Sequence, residues 1–251
     1  MNYRTNNRDL LNLNHLDLTN QTFCLGQMGF PALRCILTEE FPDYIALYTQ
    51  PGDYKHTKNT CIAFYNFDKK FNGQNGLLNA IQYKNKKDLD FFKKRLSGHR
   101  FFLMPDISVF GDVQPYRNYY NMGTAREAAI WLTTECDGIV IPTIPYANRE
   151  YFKFMLESYD NVNTLGISTK GKLNHKEDMA LMKDAIIYTV NNLPLLETFI
   201  VYDVSVDNKK AHEVFSYAIE KGVRVIIPDN KLKLRNRIKW LERHSHEQHE
   251  F

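Results

Sequence analysis

The feature that most constrains this fold is the alternation, from residue 86 onward, of short apolar runs with segments of helical periodicity. Runs rich in β-branched and aromatic residues and bounded by Pro, Gly, Asn or Asp predict buried strands. They span residues 44–48, 61–65, 101–104, 138–141, 164–167, 199–202 and 223–227. Predicted helices span residues 87–96, 125–134, 149–159, 176–190, 212–220 and 232–243. Strands joined by helices of this length pair in parallel through right-handed crossovers, so the pattern predicts a wound α/β fold.

Two arrangements of this mostly parallel sheet are compatible with the pattern. Seven or eight successive strands are close to the number that closes a barrel, which favours a barrel-like or partly closed (βα)n arrangement. An open doubly wound sheet remains the alternative, because the sequence does not show whether the early strands complete a ring. We predict one α/β domain over residues 1–251, with an irregular lead-in at 1–22 and a basic carboxyl-terminal helix and tail at 231–251.

Charge and cysteine content narrow the possible partners and the location. The net charge of +3 is too small to draw the whole protein onto nucleic acid or a membrane, so such a role needs a local patch. Cys24, Cys35, Cys61 and Cys136 form no CxxC pair, which predicts buried free thiols. The polar amino terminus does not resemble a secretory signal, and no apolar run is long enough to span a bilayer. We therefore expect a cytoplasmic protein without a membrane partner.

Polar residues follow the ends of several predicted strands, where parallel α/β folds place their functional sites. Asp106, Asp112 and Asp203 are the candidate catalytic residues, and Asp106 with Asp112 is also a possible divalent-metal pair. The candidate substrate-binding residues at these positions are Ser108, Thr143, Ser168, Thr169 and Lys170. The structural alternative is that these side chains form turns or cap helices.

Two other segments have a composition that suits nucleic acid. Arg117, Asn118 and Tyr119 are further candidate substrate-binding residues. They lie in a tyrosine-rich stretch that is able to stack a base and hold phosphate, or to pack its rings on the sheet. The helix at 231–243 is strongly basic, which suits phosphate contacts or a solvated face. His244, His246 and His249 follow it and are expected to form a solvated tail.

The order of several motifs resembles the domain-of-unknown-function 4417 family, which is common in phages and other mobile elements. These motifs are PDISVFGD, PYRNYYNMGTAREAAIWL, GIVIPTIPY, TLGISTKG and FIVYDV, over residues 100–230. The residues that match positions of the family pattern are Asp106, Ser108, Asp112, Ile141, Pro142, Ser168, Thr169, Gly171 and Tyr202. The chain departs from that pattern where Asp203 replaces a glycine and where the tyrosine and arginine order at 116–120 differs. The resemblance implies a phage or mobile-element origin and no particular activity.

Three functions are compatible with these observations. The first is an enzyme acting on a phosphate-bearing or nucleotide-like substrate at the strand carboxyl ends. The second is a nucleic-acid-binding protein, and the third is a non-catalytic binder of a host factor or a signalling nucleotide. The sequence does not identify a cofactor, although a divalent metal is possible, and it does not decide whether the chain is an enzyme.

Overall fold

The computed structural model describes residues 24–66, 70, 71, 73 and 75–247. In chain order its strands are β1 (Cys24–Leu25), β2 (Phe30–Pro31), β3 (Arg34–Cys35), β4 (Tyr44–Leu47), β5 (Thr60–Ala63), β6 (Phe101–Leu103), β7 (Ile139–Ile141), β8 (Asn161–Val162), β9 (Thr164–Ser168), β10 (Thr198–Tyr202), β11 (Arg224–Ile226) and β12 (Asp229–Asn230). Its α-helices are α1 (Leu77–Gln82), α2 (Lys86–Leu96), α3 (Pro115–Cys136), α4 (Phe152–Met155), α5 (Lys176–Asn192), α6 (Lys209–Val214), α7 (Ser216–Glu220) and α8 (Lys231–Glu247). Short 3-10 helices lie at Pro51–Asp53 and Arg149–Tyr151.

The two main sheets are parallel throughout. One has the strand order β12-β4-β5-β6-β7 and the other the order β11-β10-β9. A small parallel pair joins β3 to β8, and β1 pairs with β2 in antiparallel. All the predicted strands are present, and the mostly parallel α/β class is confirmed.

Two seams determine how far these sheets curl into a ring. At the first seam, Thr143 and Gly166 form a single parallel bridge, and the Gly166 N–H donates to the Pro142 carbonyl at 2.7 Å. At the second, the chain passes from β11 to β12 through Ile227 and Pro228 and so moves from one sheet to the other. Proline has no N–H to donate, which limits ladder pairing at both places. Over the described residues the arrangement is therefore partly closed and not a closed barrel.

The central strands are apolar on both faces because helices and neighbouring strands cover them. Every residue of β4, β5, β6 and β10 is buried. In β9, Gly166 allows close packing: a Cβ at this position would lie 2.2 Å from Cδ2 of Leu103 in β6. This approach brings the carboxyl end of β9 close to those of β6 and β7.

Several predicted helix bounds were wrong. Helix α3 begins at Pro115, ten residues before the predicted start, because a proline is well tolerated in the first turn. The predicted helix at 149–159 is a 3-10 turn followed by α4, and the predicted helix at 212–220 is the pair α6 and α7. Longer amphipathic segments were placed more accurately, as α2 and α5 show.

The carboxyl-terminal helix also differs from expectation. Its basic face is only partly solvated, because Lys233 is 1% exposed. Two apolar residues of this helix, Ile238 and Leu241, are exposed. Helix α8 continues through His244, whose ring stacks on Trp240, so a tail does not begin there. The predicted lead-in at 1–22 and His249 lie outside the described residues.

The thiol prediction is correct for three cysteines and wrong for one. Cys35, Cys61 and Cys136 are buried and free, whereas Cys24 is free and exposed in the short strand β1. No helix in the described part of the chain has the length and apolar character needed to cross a membrane.

Candidate functional site

The carboxyl ends of β5, β6, β7 and β9 surround a cavity of about 290 Å³, which we call the rim pocket. Parallel pairing places these ends on the same side of the sheet, as the sequence predicted. The polar residues lining the pocket are Tyr65, Asp106, Ser108, Thr143, Tyr146, Ser168 and Lys172. Four predicted site residues, Asp106, Ser108, Thr143 and Ser168, therefore meet in one cavity.

Burial and the charge of Asp106 together affect the ionisable groups of this pocket. Asp106 comes directly after Pro105, three residues beyond the last residue of β6, and it is half-buried. Burial, and then the charge of Asp106, raises the pKa of the Tyr65 phenol well above its usual range. The same two causes, in the same order, raise the pKa of the Tyr146 phenol. Both phenols therefore stay protonated at neutral pH and are available as hydrogen-bond donors.

Three hydroxyl groups in the rim pocket lack hydrogen-bond partners. They belong to Tyr65, Thr143 and Tyr146, and within the described part of the chain they are the buried hydroxyls in that condition. Tyr65 is 8% exposed and Thr143 is 2% exposed. Leaving a buried polar group unsatisfied costs about 1–3 kcal/mol, so such groups are normally paired. Their concentration around Asp106 indicates a place where a ligand would supply the missing partners.

A lysine completes the lining on the β9 side. Lys172 lies in the turn after β9, where its N–H donates to the Thr169 carbonyl at 3.0 Å. Gly171 permits this turn because its φ of +80° is in the left-handed region that favours glycine. Lys170, the lysine predicted from the sequence, is exposed and does not line the pocket. The pocket therefore combines a carboxylate after β6 with an ammonium after β9, and β7 lies between them.

Asp203 and Thr169 form a separate, internally bonded cluster. Asp203 is 1% exposed, and its carboxylate accepts a hydrogen bond from Thr169 Oγ1 at 2.5 Å and one from the Ser205 N–H at 3.1 Å. The Ser205 hydroxyl is also bonded to this carboxylate. Asn230 Nδ2 donates to the Asp203 carbonyl at 2.8 Å and ties β12 to the end of β10. These contacts place Asp203 next to the rim pocket's strands but outside its lining.

The remaining predicted residues lie elsewhere on this side of the molecule. Asp112 is exposed and does not line the rim pocket. Asn118 is fully buried and bonds the backbone of Phe110, while Tyr119 packs on Tyr151 and Phe154. Arg117 lines a neighbouring cavity of about 470 Å³, which we call the aromatic groove. The groove is lined by Phe110, Val113, Tyr116, Arg117, Tyr120 and Asn121.

Metal ligation was one possible role for Asp106 and Asp112. The residues that the structure describes contain no group of three or more His, Cys, Asp and Glu side chains placed to hold a metal ion. Lys172, Tyr65 and Tyr146 are the pocket residues that sequence reasoning missed as site residues. Lys172 was recognisable from the sequence, because it lies in the same turn after β9 as Ser168 and Lys170.

Sequence comparison identifies the family. No curated protein matches the chain. The family model described as a domain of unknown function, DUF4417, matches residues 24–219, and so extends well before the motifs on which the resemblance was based. This span is more than half of the 251 residues and includes the rim pocket, the aromatic groove and Asp203. The chain therefore belongs to the DUF4417 family.

Proposed function

We propose that this protein is an enzyme that acts on a small phosphate-bearing, nucleotide-like molecule in the rim pocket. The observation that carries the proposal is the set of buried, unpartnered hydroxyls around Asp106. A pocket of about 290 Å³ is at the small end of the range for ligand sites, which suits a metabolite-sized molecule.

The two charged groups give the ligand an orientation. Lys172 and Ser168 bind the phosphate, since an ammonium and a hydroxyl are both suited to phosphate oxygens. Asp106 accepts a proton from a hydroxyl or water at the other end of the ligand and thus acts as a general base. Tyr65, Tyr146 and Thr143 hydrogen-bond to the ligand's polar atoms. Asp203 and Thr169 hold the adjacent strand ends in position.

The other two functions remain proposals with less support. A non-catalytic binder of a signalling nucleotide would use the same pocket without turnover, whereas a binder of a host factor would need an exposed docking surface outside it. Nucleic-acid binding through α8 is weakened because Lys231 and Arg237 are paired with acidic residues of the same fold. We retain the phage or mobile-element origin and the cytoplasmic location as expectations from the sequence.

The test compares two lysines of the same turn. We expect Lys172→Ala to weaken binding of a nucleoside monophosphate on the order of tenfold, because a charge-assisted hydrogen bond is lost. Lys170→Ala is the matched control and should leave the affinity unchanged. Calorimetric titration with inorganic phosphate and a set of nucleoside monophosphates measures both. Equal effects of the two substitutions, or no binding by the wild type, would contradict the proposal.

Turnover is measured separately. If the protein converts a bound molecule to product, we expect Asp106→Asn to lower the rate of that conversion by about 10²–10⁴-fold, because the general base is lost. Binding without any conversion would instead support the non-catalytic alternative.

A further inference from the structure

The aromatic groove adjoins the rim pocket. Phe110 lines both cavities, so the two lie on either side of one side chain. The groove is also the larger of the two, at about 470 Å³.

Helix α3 fixes the backbone of Ser108 and Phe110, which lie at the border between the two cavities. The Asn118 side chain accepts from the Phe110 N–H at 3.0 Å and donates to the Phe110 carbonyl at 2.7 Å. Asn121 Nδ2 donates to the Ser108 carbonyl at 2.8 Å. Although its backbone is fixed in this way, the Phe110 side chain is 49% exposed. An apolar ring is thus held at the surface, beside the pocket.

Two further rings extend the groove along α3. Tyr116 and Tyr120 are four residues apart, so they share one face of the helix with a rise of about 6 Å between them. They are 65% and 56% exposed. Gln82 Nε2 donates to the Tyr120 hydroxyl at 2.5 Å, and the Tyr116 hydroxyl accepts from Arg117 Nε at 3.5 Å. Their hydroxyls are engaged while much of each side chain remains open to solvent.

The charge of the groove suits an anionic chain. Its lining contains Arg117 and no carboxylate, and Asp112, although exposed on the adjacent loop, is not among the lining residues. Beyond Tyr120, the Gln82 contact adds the end of α1 to this surface. Exposed aromatic rings beside cationic side chains are the combination that binds single-stranded nucleic acid.

We propose that the aromatic groove binds single-stranded nucleic acid, and that the nucleotide handled in the rim pocket belongs to such a strand. This inference rests on the proposed function. One ring is enough to stack one base, whereas Phe110, Tyr116 and Tyr120 offer three, which fits several successive nucleotides better than a free mononucleotide. The groove supplies affinity through stacking, and the pocket receives one nucleotide.

The experiment measures fluorescence anisotropy of a labelled 15-nucleotide single strand at low salt, with the same sequence as a duplex for comparison. We expect the wild type to prefer the single strand. The double substitution Tyr116→Ala/Tyr120→Ala should weaken its binding on the order of 25-fold, about fivefold for each stacking ring lost. Phe91→Ala is the control, because Phe91 is 58% exposed and does not line the groove. It should leave the affinity unchanged.

A parallel titration with a nucleoside monophosphate separates this inference from the proposed function. If the monophosphate binds through Lys172 but the single strand does not bind, the groove inference is overturned and the proposed function stands. If the single strand binds through the tyrosine pair, the monophosphate does not bind and Lys172→Ala leaves strand binding unchanged, the groove half of the inference stands, and both its rim-pocket half and the proposed function are overturned. Duplex binding as tight as single-strand binding, or equal losses for the control and the double substitution, would also overturn the inference.

Discussion

Asp106 and Asp203 are both acidic residues just beyond the ends of parallel strands, yet their surroundings are opposite. The carboxylate of Asp203 is almost fully buried and accepts bonds from Thr169 and Ser205. Asp106 is half-buried and lines a cavity in which neighbouring hydroxyls lack partners. The two residues cannot be distinguished in the sequence, because both are aspartates that follow a predicted strand.

The difference separates positions that stabilise the fold from positions available to a ligand. In a cluster whose donors and acceptors are bonded to one another, few groups are free to bind a substrate. Unsatisfied groups around a cavity destabilise the free protein, and a bound ligand that hydrogen-bonds to them removes that free-energy cost.

The largest effect that would test this comparison is the loss of Asp203. Asp203→Ala removes the buried carboxylate that accepts from Thr169 and Ser205, and only the Thr169 bond is itself buried, so we expect a loss of about 2–4 kcal/mol in the free energy of unfolding. Asp106→Ala should cost less, because Asp106 is half-buried beside a cavity. Urea denaturation measures both. The exposed Asp112→Ala is the control, expected within about 0.5 kcal/mol of the wild type. A smaller loss for Asp203 than for Asp106 would break the comparison.

A smaller effect of opposite sign is expected for a hydroxyl in the rim pocket. Tyr65→Phe removes a buried hydroxyl without a partner, so the free protein should be unchanged or more stable by up to about 1 kcal/mol. Tyr159→Phe is the matched substitution, because the Tyr159 hydroxyl donates to the Thr143 carbonyl at 2.8 Å. It should cost about 1 kcal/mol. Thermal unfolding of the two variants side by side is the measurement, and equal losses would show that Tyr65 is satisfied in the fold.

The smallest effect is a difference in pH dependence between the two regions. Burial lowers the pKa of Lys233, although Asp229 and Asp203 oppose this shift. The unfolded chain then binds more protons just below pH 10.5, so the stability contributed by Lys233 rises with pH in that window. The raised pKa of Tyr65 has the reverse effect: above pH 10.0 the unfolded phenol ionises first, and stability falls.

Difference measurements isolate the two residues from other titrating groups. As the pH approaches 10.5 from below, the unfolding free energy of the wild type minus that of Lys233→Met should rise by less than about 1.4 kcal/mol per pH unit, the limit for one proton. The corresponding difference for Tyr65→Phe should fall above pH 10. If the two free-energy differences change with pH in the same direction, the assigned pKa shifts of Lys233 and Tyr65 are wrong.

Much of the architecture was predictable because strand formation here follows local composition. The apolar runs that became β4, β5, β6, β7, β9, β10 and β11 are bounded by turn residues, and their order dictates parallel pairing. The partial closure was harder to predict, since it depends on Pro142 and Pro228 at the two seams and on the bridge at Gly166. Helix α1 was missed because it follows a segment rich in Asn and Gly, although Leu77 and Leu78 are buried.

The site was predictable only in part. Strand-end reasoning found Asp106, Ser108, Thr143 and Ser168, but hydrogen bonding between distant segments decides which polar residues face the cavity. Tyr65 reads as the last apolar residue of a strand, and its unpartnered hydroxyl is visible only in three dimensions. Asn118 was predicted to contact a substrate, yet it is buried and holds the Phe110 backbone.

A crystal structure of the protein soaked with a nucleoside monophosphate tests the central claim most directly. We expect the ligand in the rim pocket, with polar atoms roughly 3 Å from the Tyr65 and Thr143 hydroxyls and its phosphate beside Lys172. If the Tyr65, Thr143 and Tyr146 hydroxyls instead bond to one another or to the protein backbone and the ligand is absent, these residues are part of the fold and do not mark a binding site.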